Sequence, residues 1–124
     1  MTLKYFKHSE FDCPTLEGSG QMMNYQFLEK LDDARGLAEI PFVITSGYRT
    51  KDYNEDLIRR KYKASRNSSH LKGLAADIKC NTSRNRWIII NSLVLAGFSR
   101  IGVADTFIHV DLDLDKAQNV IWTY

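Results

Sequence analysis

Apolar positions recur along the chain with two different periods, and each period predicts a kind of element. Over "NYQFLEKLDDARGL", Phe27, Leu28, Leu31, Ala34 and Leu37 fall on one stripe at helical spacing. Asn24 stands where an N-cap belongs, and Gly36 marks a fraying end. "PFVITSGYR" reads as a short strand running into a glycine turn. Thr50 is placed to cap a second helix over "KDYNEDLIRRKY", to which Tyr53, Leu57 and Ile58 give a thin apolar side. After the polar loop "SRNSSHLKG", the segment "LAADIKC" reads as a second strand. Ser83 is placed to cap a third helix, "RNRWIIINSLVLAG", closed by Gly97. "RIGVA" and "TFIHVDL" predict two strands joined by a tight turn at Ala104 and Asp105, and "NVIWTY" predicts an edge strand or an ordered tail. Helices and strands alternate over short connections with no linker or repeat between them. The expectation is one α+β domain over residues 1–124, with a small, mainly antiparallel sheet and flanking helices.

The same alternation separates core from chemistry. In "ADTFIHVDL", Ile108 and Val110 point to one face of the strand, while Phe107, His109 and Asp111 point to the other. In "LAADIKC", Leu74, Ala76 and Ile78 alternate with Ala75, Asp77 and Lys79. Should the two strands be neighbours, Asp77 and His109 converge, and His70 enters from the preceding loop. Two neutral imidazoles and a carboxylate are a catalytic zinc set, three protein ligands that leave a further position open. Zinc held there activates water and polarises a carbonyl. A hydrolase also needs a proton acceptor, and Asp111 or Asp105 could supply it. Outside this group, His8 lacks an acidic partner at ligand spacing and reads as a surface residue.

Composition narrows the classes. The 124 residues are 44% hydrophobic and 26% charged, as in a folded globular chain, and the net charge of +2 is too small to imply nucleic acid. Arg59, Arg60, Lys61, Lys63 and Arg66 do cluster, but only Tyr62 offers an interleaved aromatic, so no nucleic-acid partner is expected. The cluster reads as a solvated helix end, or as attraction to an anionic bacterial wall. The longest apolar stretch, "WIIINSLVLAGF", is interrupted by Asn91 and Ser92, so no membrane insertion is expected. The N-terminal "MTLKYFKHSEFDCP" lacks the apolar core of a signal peptide, which predicts cytoplasmic synthesis. Cys13 and Cys80 are expected as free thiols.

Three motifs carry a resemblance. "SSHLKGLAADI" resembles the S-x-H-x-x-G-x-A-x-D signature of the M15 zinc peptidases, the D-Ala-D-Ala carboxypeptidase and L-alanyl-D-glutamate endopeptidase group. "ITSGYRT" resembles that family's S-G-Y-R segment, and "FIHVD" its second histidine strand; order and spacing agree over roughly residues 5 to 111. The resemblance is to the short, single-domain phage-type branch. It implies the fold of the hedgehog and D-Ala-D-Ala-peptidase group, with one zinc ion held by His70, Asp77 and His109. It also implies hydrolysis of a short peptide bond in bacterial peptidoglycan by a monomer. Arg49 is then the residue that binds the scissile carbonyl or a substrate carboxylate, Ser68 a substrate contact, and Tyr48 a residue of the substrate cleft. A phage lysis enzyme, released to the wall through a holin or carried on the virion, fits this branch. The chain departs from the family at one point: Thr106 occupies the position where many relatives carry the catalytic carboxylate, three residues before the last histidine. That leaves the proton acceptor open between Asp111, which can instead orient the imidazole, and Asp105. The departure also keeps a second reading in play, a metal-containing wall-binding or virion structural module without turnover.

Overall fold

The computed structural model describes residues 2–124. Helix α1 spans Tyr25–Ala38, and the Asn24 side chain accepts a hydrogen bond from the Phe27 amide at 2.9 Å. Strand β1 covers Ile44–Ser46, and α2 covers Lys51–Arg59 behind the Thr50 cap. A short 3₁₀ turn, Ser69–Lys72, leads into β2, Ala75–Lys79, and then α3, Ser83–Leu95. Strands β3 (Arg100–Val103), β4 (Phe107–Asp111) and β5 (Val120–Thr123) follow.

The strands form one sheet in the order β1-β2-β4-β3-β5, antiparallel throughout except for the parallel pair β3–β5. This is the α+β arrangement the alternating pattern predicts. Its helix-facing side carries Ala76, Ile78, Ile101, Ile108 and Val110, all buried. They pack in one core with Phe27, Leu28 and Leu31 of α1 and Ile89 and Leu93 of α3. The Phe27 and Phe98 rings meet edge to face at 5.7 Å between centroids. Leu31 has no solvent exposure, so Leu31→Ala should leave a cavity and cost about 2–5 kcal/mol in chemical denaturation.

Three boundaries differ from the sequence expectation. Helix α2 stops at Arg59 instead of Tyr62 because Lys61 adopts a left-handed conformation (φ 62°). The Tyr62 amide then closes back on the Leu57 carbonyl at 3.0 Å. The cap of α3 is Thr82, not Ser83: its hydroxyl accepts from the Asn85 amide at 3.1 Å, while Ser83 already lies in the first turn. Leu37 is 54% exposed, and the buried stripe of α1 continues to Ala38. Cys13 and Cys80 are buried free thiols.

The opposite side of the sheet is where chemistry collects. Register pairs Asp77 with His109, His109 with Gly102, and Gly102 with Trp122, one row across four strands. No helix among the described residues is long and apolar enough to cross a membrane.

Candidate metal centre

His70 is delivered by the 3₁₀ turn. Ser68 caps that turn, its hydroxyl accepting from the His70 amide at 3.2 Å. Gly73 ends it in the left-handed region (φ 70°), and a Cβ there would sit 2.5 Å from the Met22 carbonyl oxygen. Conformation and close approach therefore both require glycine at this position. The turn is fastened to the "SGYR" segment by the Arg49 amide, which donates to the His70 carbonyl at 3.2 Å.

Hydrogen bonding then decides which ring nitrogens are available. His70 Nδ1 lies 2.8 Å from the Gly47 carbonyl oxygen, which can only accept. Nδ1 therefore carries the proton and Nε2 keeps its lone pair, 3.3 Å from Asp77 Oδ1. His109 is oriented the other way round. Its Nε2 donates to Asp111 Oδ2 at 2.8 Å, and its Nδ1 faces Asp77 Oδ1 at 3.0 Å. One ligand atom from each of His70, Asp77 and His109 lies within 4.8 Å of the others, and all three residues are buried.

This donor set fits a zinc ion. Each imidazole has its second nitrogen tied to an acceptor, the arrangement that fixes tautomer and aim in zinc sites. The charges agree. Burial alone would raise the Asp77 pKa, but the two imidazoles hold its carboxyl well below the usual carboxylate range. Burial lowers the His70 pKa against the pull of Asp77. Burial also works against the charged form of His109, yet Asp111 and Asp77 outweigh it and raise its pKa. Without metal, His109 is thus the imidazole whose charged form Asp111 and Asp77 favour, and a divalent cation held by the three residues would supply positive charge there instead.

Arg49 is 4% exposed and fully braced. Its Nε donates to Ser46 Oγ at 3.0 Å, one terminal nitrogen to Asn54 Oδ1 at 3.1 Å, and the other to Asp77 Oδ2 at 3.3 Å. A guanidinium has five N–H donors, so one remains on each terminal nitrogen. Asn54 is itself held by the Ser65 carbonyl at 2.8 Å, which explains why α2 buries a polar residue beside Leu57. Asp111 is held from three sides. Besides His109, its Oδ1 receives Arg100 Nε at 2.7 Å and the Asp113 amide at 3.1 Å.

Arg49, Ser68, His70, His109 and Asp111 line a common cleft of about 230 Å³. Tyr48 lies apart from it, lining an adjacent cavity that also borders Arg49. Asp105 is exposed in the β3–β4 turn and is not among the residues of the cleft, and Thr106 beside it is exposed too. Lys63 is the member of the basic cluster that reaches the cleft rim, whereas Arg59 and Arg60 pair with Asp56.

The sequence reading missed Arg100, Asp113, Trp122 and Tyr124. Arg100 and Trp122 lie on the same sheet face as His109, a parity that becomes visible only once β3 and β5 are known to flank β4. Asp113 had a signal in the alternation "DLDLD". It is 1% exposed and clamps the turn of His70, receiving Ser69 Oγ at 2.7 Å and Lys72 Nζ at 3.0 Å. Burial would raise the Asp113 pKa, but these partners lower it overall. A depressed carboxylate stabilises the fold fully above its ordinary pKa and loses that contribution as pH falls through the folded value. In metal-free protein, Asp113→Asn should cost about 1–3 kcal/mol at neutral pH. It should also flatten the acid limb of stability below about pH 4, as followed by urea denaturation across pH.

Fold and site together define a metallopeptidase of the two-histidine, one-carboxylate type. The model of the Peptidase M15 family matches residues 4–111, and the chain belongs to that family. No curated protein sequence matches the chain. Among solved structures it is similar to the Serratia marcescens L-Ala D-Glu endopeptidase ChiX, with a TM-score of 0.64 at 15% identity. That likeness covers 77% of this chain and 84% of the other, and at this identity it speaks for the shared fold.

Proposed function

We propose that the protein hydrolyses a short peptide bond of bacterial peptidoglycan with one zinc ion held by His70, Asp77 and His109. The bond is of the D-Ala-D-Ala carboxypeptidase or the L-Ala-D-Glu endopeptidase type. One observation carries the reading: both imidazoles are pre-aimed at Asp77 by acceptors on their far nitrogens, beside a cleft that also holds a braced arginine. Family membership supports it, and the activity in the printed name of the similar Serratia structure points to the same class of substrate.

When bound, zinc supplies Lewis acidity toward water and the scissile carbonyl. The chain supplies position and charge. Arg49, fixed by Ser46, Asn54 and Asp77, holds its remaining N–H groups where charge develops on the carbonyl oxygen. Asp111 keeps the His109 proton on Nε2, so Nδ1 stays free for the metal. In this reading Asp111 is a positioning residue. Ser68 holds the His70 turn and keeps a hydroxyl proton for the substrate. The protein acts as a monomer, made in the cytoplasm and reaching the wall through a holin or on a virion.

One observation favours the second reading, a wall-binding or virion module without turnover. Among the described residues of the cleft, Asp111 is the carboxylate outside the metal set, and its oxygens are occupied. Mass spectrometry of purified peptidoglycan digested by the zinc-loaded protein separates the two. New termini at D-Ala-D-Ala or L-Ala-D-Glu support hydrolysis and name the bond, whereas binding to the wall without released peptide supports the module. Zinc-dependent lysis of cells exposed from outside checks the site of action.

A further inference from the structure

Most of the residues that line the cleft are polar or charged by type. Arg49, Lys63, Arg100 and Lys116 bring positive charge, and Ser65 and Ser68 bring hydroxyls. Among the described lining residues, Trp122 and Tyr124 are the aromatic side chains besides the two histidines. Both belong to the C-terminal segment, beyond the residues that the family model matches.

Trp122 stands next to the metal set. Its ring lies 5.5 Å from the His109 ring, and the Arg100 guanidinium sits 4.9 Å from its centroid. The neighbouring strand makes room for it. Gly102 lies between His109 and Trp122 in the sheet row, and a Cβ there would fall 2.7 Å from the indole Cε2 and Nε1. Glycine at this position therefore lets the indole lie against the strand backbone beside His109. A cavity of about 230 Å³ is also small, below the ~300–1,000 Å³ of pockets for drug-sized ligands.

We propose that Trp122, seated over Gly102, is the specificity-determining residue of the cleft: its indole takes the methyl group of an alanyl residue next to the scissile bond. An alkyl group entering this cleft meets the rings of Trp122 and Tyr124, and of the two it is Trp122 whose ring lies against His109 of the metal set. The cationic side chains around it suit the carboxylates of the same peptide. This inference rests on the proposed peptidase reading, since it takes the occupant to be a short peptide.

The test measures binding separately from turnover. In a Trp87→Phe background, Trp122 is the one remaining tryptophan, because the chain has two. Trp87 is exposed on α3, outside the cleft. Zinc-loaded protein is titrated by stopped-flow fluorescence, before turnover, with L-Ala-D-Glu against Gly-D-Glu and with D-Ala-D-Ala against Gly-D-Ala. Burying one methyl group predicts at least one alanyl dipeptide bound about four-fold or more tighter than its glycine counterpart, with a change in Trp122 emission. By calorimetry, Trp122→Ala should erase that preference and Trp122→Phe should keep most of it. Gly102→Ala, which must displace the indole, should behave like Trp122→Ala. Zinc affinity, read by chelator competition, should change less than about two-fold in the Trp122 variants. The proposal is overturned if neither pair shows a preference, if the preference survives Trp122→Ala, or if zinc affinity falls along with it. Discrimination between dipeptides without any peptide released from peptidoglycan would remove the hydrolytic reading and leave this one standing. Released peptide without discrimination would do the reverse.

Discussion

Asp77→Asn is expected to lower zinc affinity by more than about a hundredfold and to abolish peptide release at stoichiometric zinc. Loss of a partner that merely orients a ligand costs about 10–100-fold in metal affinity, so loss of a direct ligand lies at or beyond the top of that range. Asp77 has a second task that deepens the effect. Its Oδ1 faces both imidazoles and its Oδ2 receives Arg49, so one carboxylate sets the charge of the whole site. An asparagine keeps the shape but leaves Arg49 buried without an anionic partner, at a cost of several kcal/mol. The metal-free variant should therefore also be less stable than the metal-free wild type. Chelator competition gives the affinity, and denaturation of both metal-free proteins gives the second effect. Near-wild-type zinc binding in Asp77→Asn would remove Asp77 from the ligand set.

Asp111→Ala is the second large effect, and it separates two roles. As the partner of His109 Nε2, Asp111 should lower zinc affinity by about 10–100-fold when removed. Activity should fall in parallel and recover in large part when excess zinc refills the site. A general base would behave differently: zinc would stay bound, and activity would be lost at every zinc concentration. The hydrogen bonds favour the first outcome, because Asp111 is engaged by Arg100, His109 and the Asp113 amide at once. Its pKa is lowered overall, burial being outweighed by the His109 and Arg100 contacts, so it stands as a carboxylate with its oxygens already in use.

Local rules made much of this site legible in the chain. Strand alternation placed Asp77 and His109 away from the apolar faces, and the register joins them directly. The glycine in "SSHLKGLAADI" marked the left-handed end of the His70 turn. What stayed hidden depended on pairing between distant segments. The hydrogen bond that Arg100 donates to Asp111 follows from β3 lying beside β4. Trp122 enters through a parallel pairing of β5 with β3 that no local pattern announces. Helix α2 ended early for a related reason: Lys61 takes a left-handed turn that its residue type does not advertise. Arg49 was legible as a site residue, but its bracing by Asn54 needed the packing of α2 against the loop at Ser65.

The most direct test adds zinc stepwise to metal-free protein and counts the new termini released from purified peptidoglycan at each step. Release should rise in proportion to zinc and break at one equivalent per chain, with His70→Ala, Asp77→Asn and His109→Ala flat over the same range. No release at any zinc concentration, or release that persists in a chelator, would contradict the assignment of a single-zinc peptidase centre to His70, Asp77 and His109.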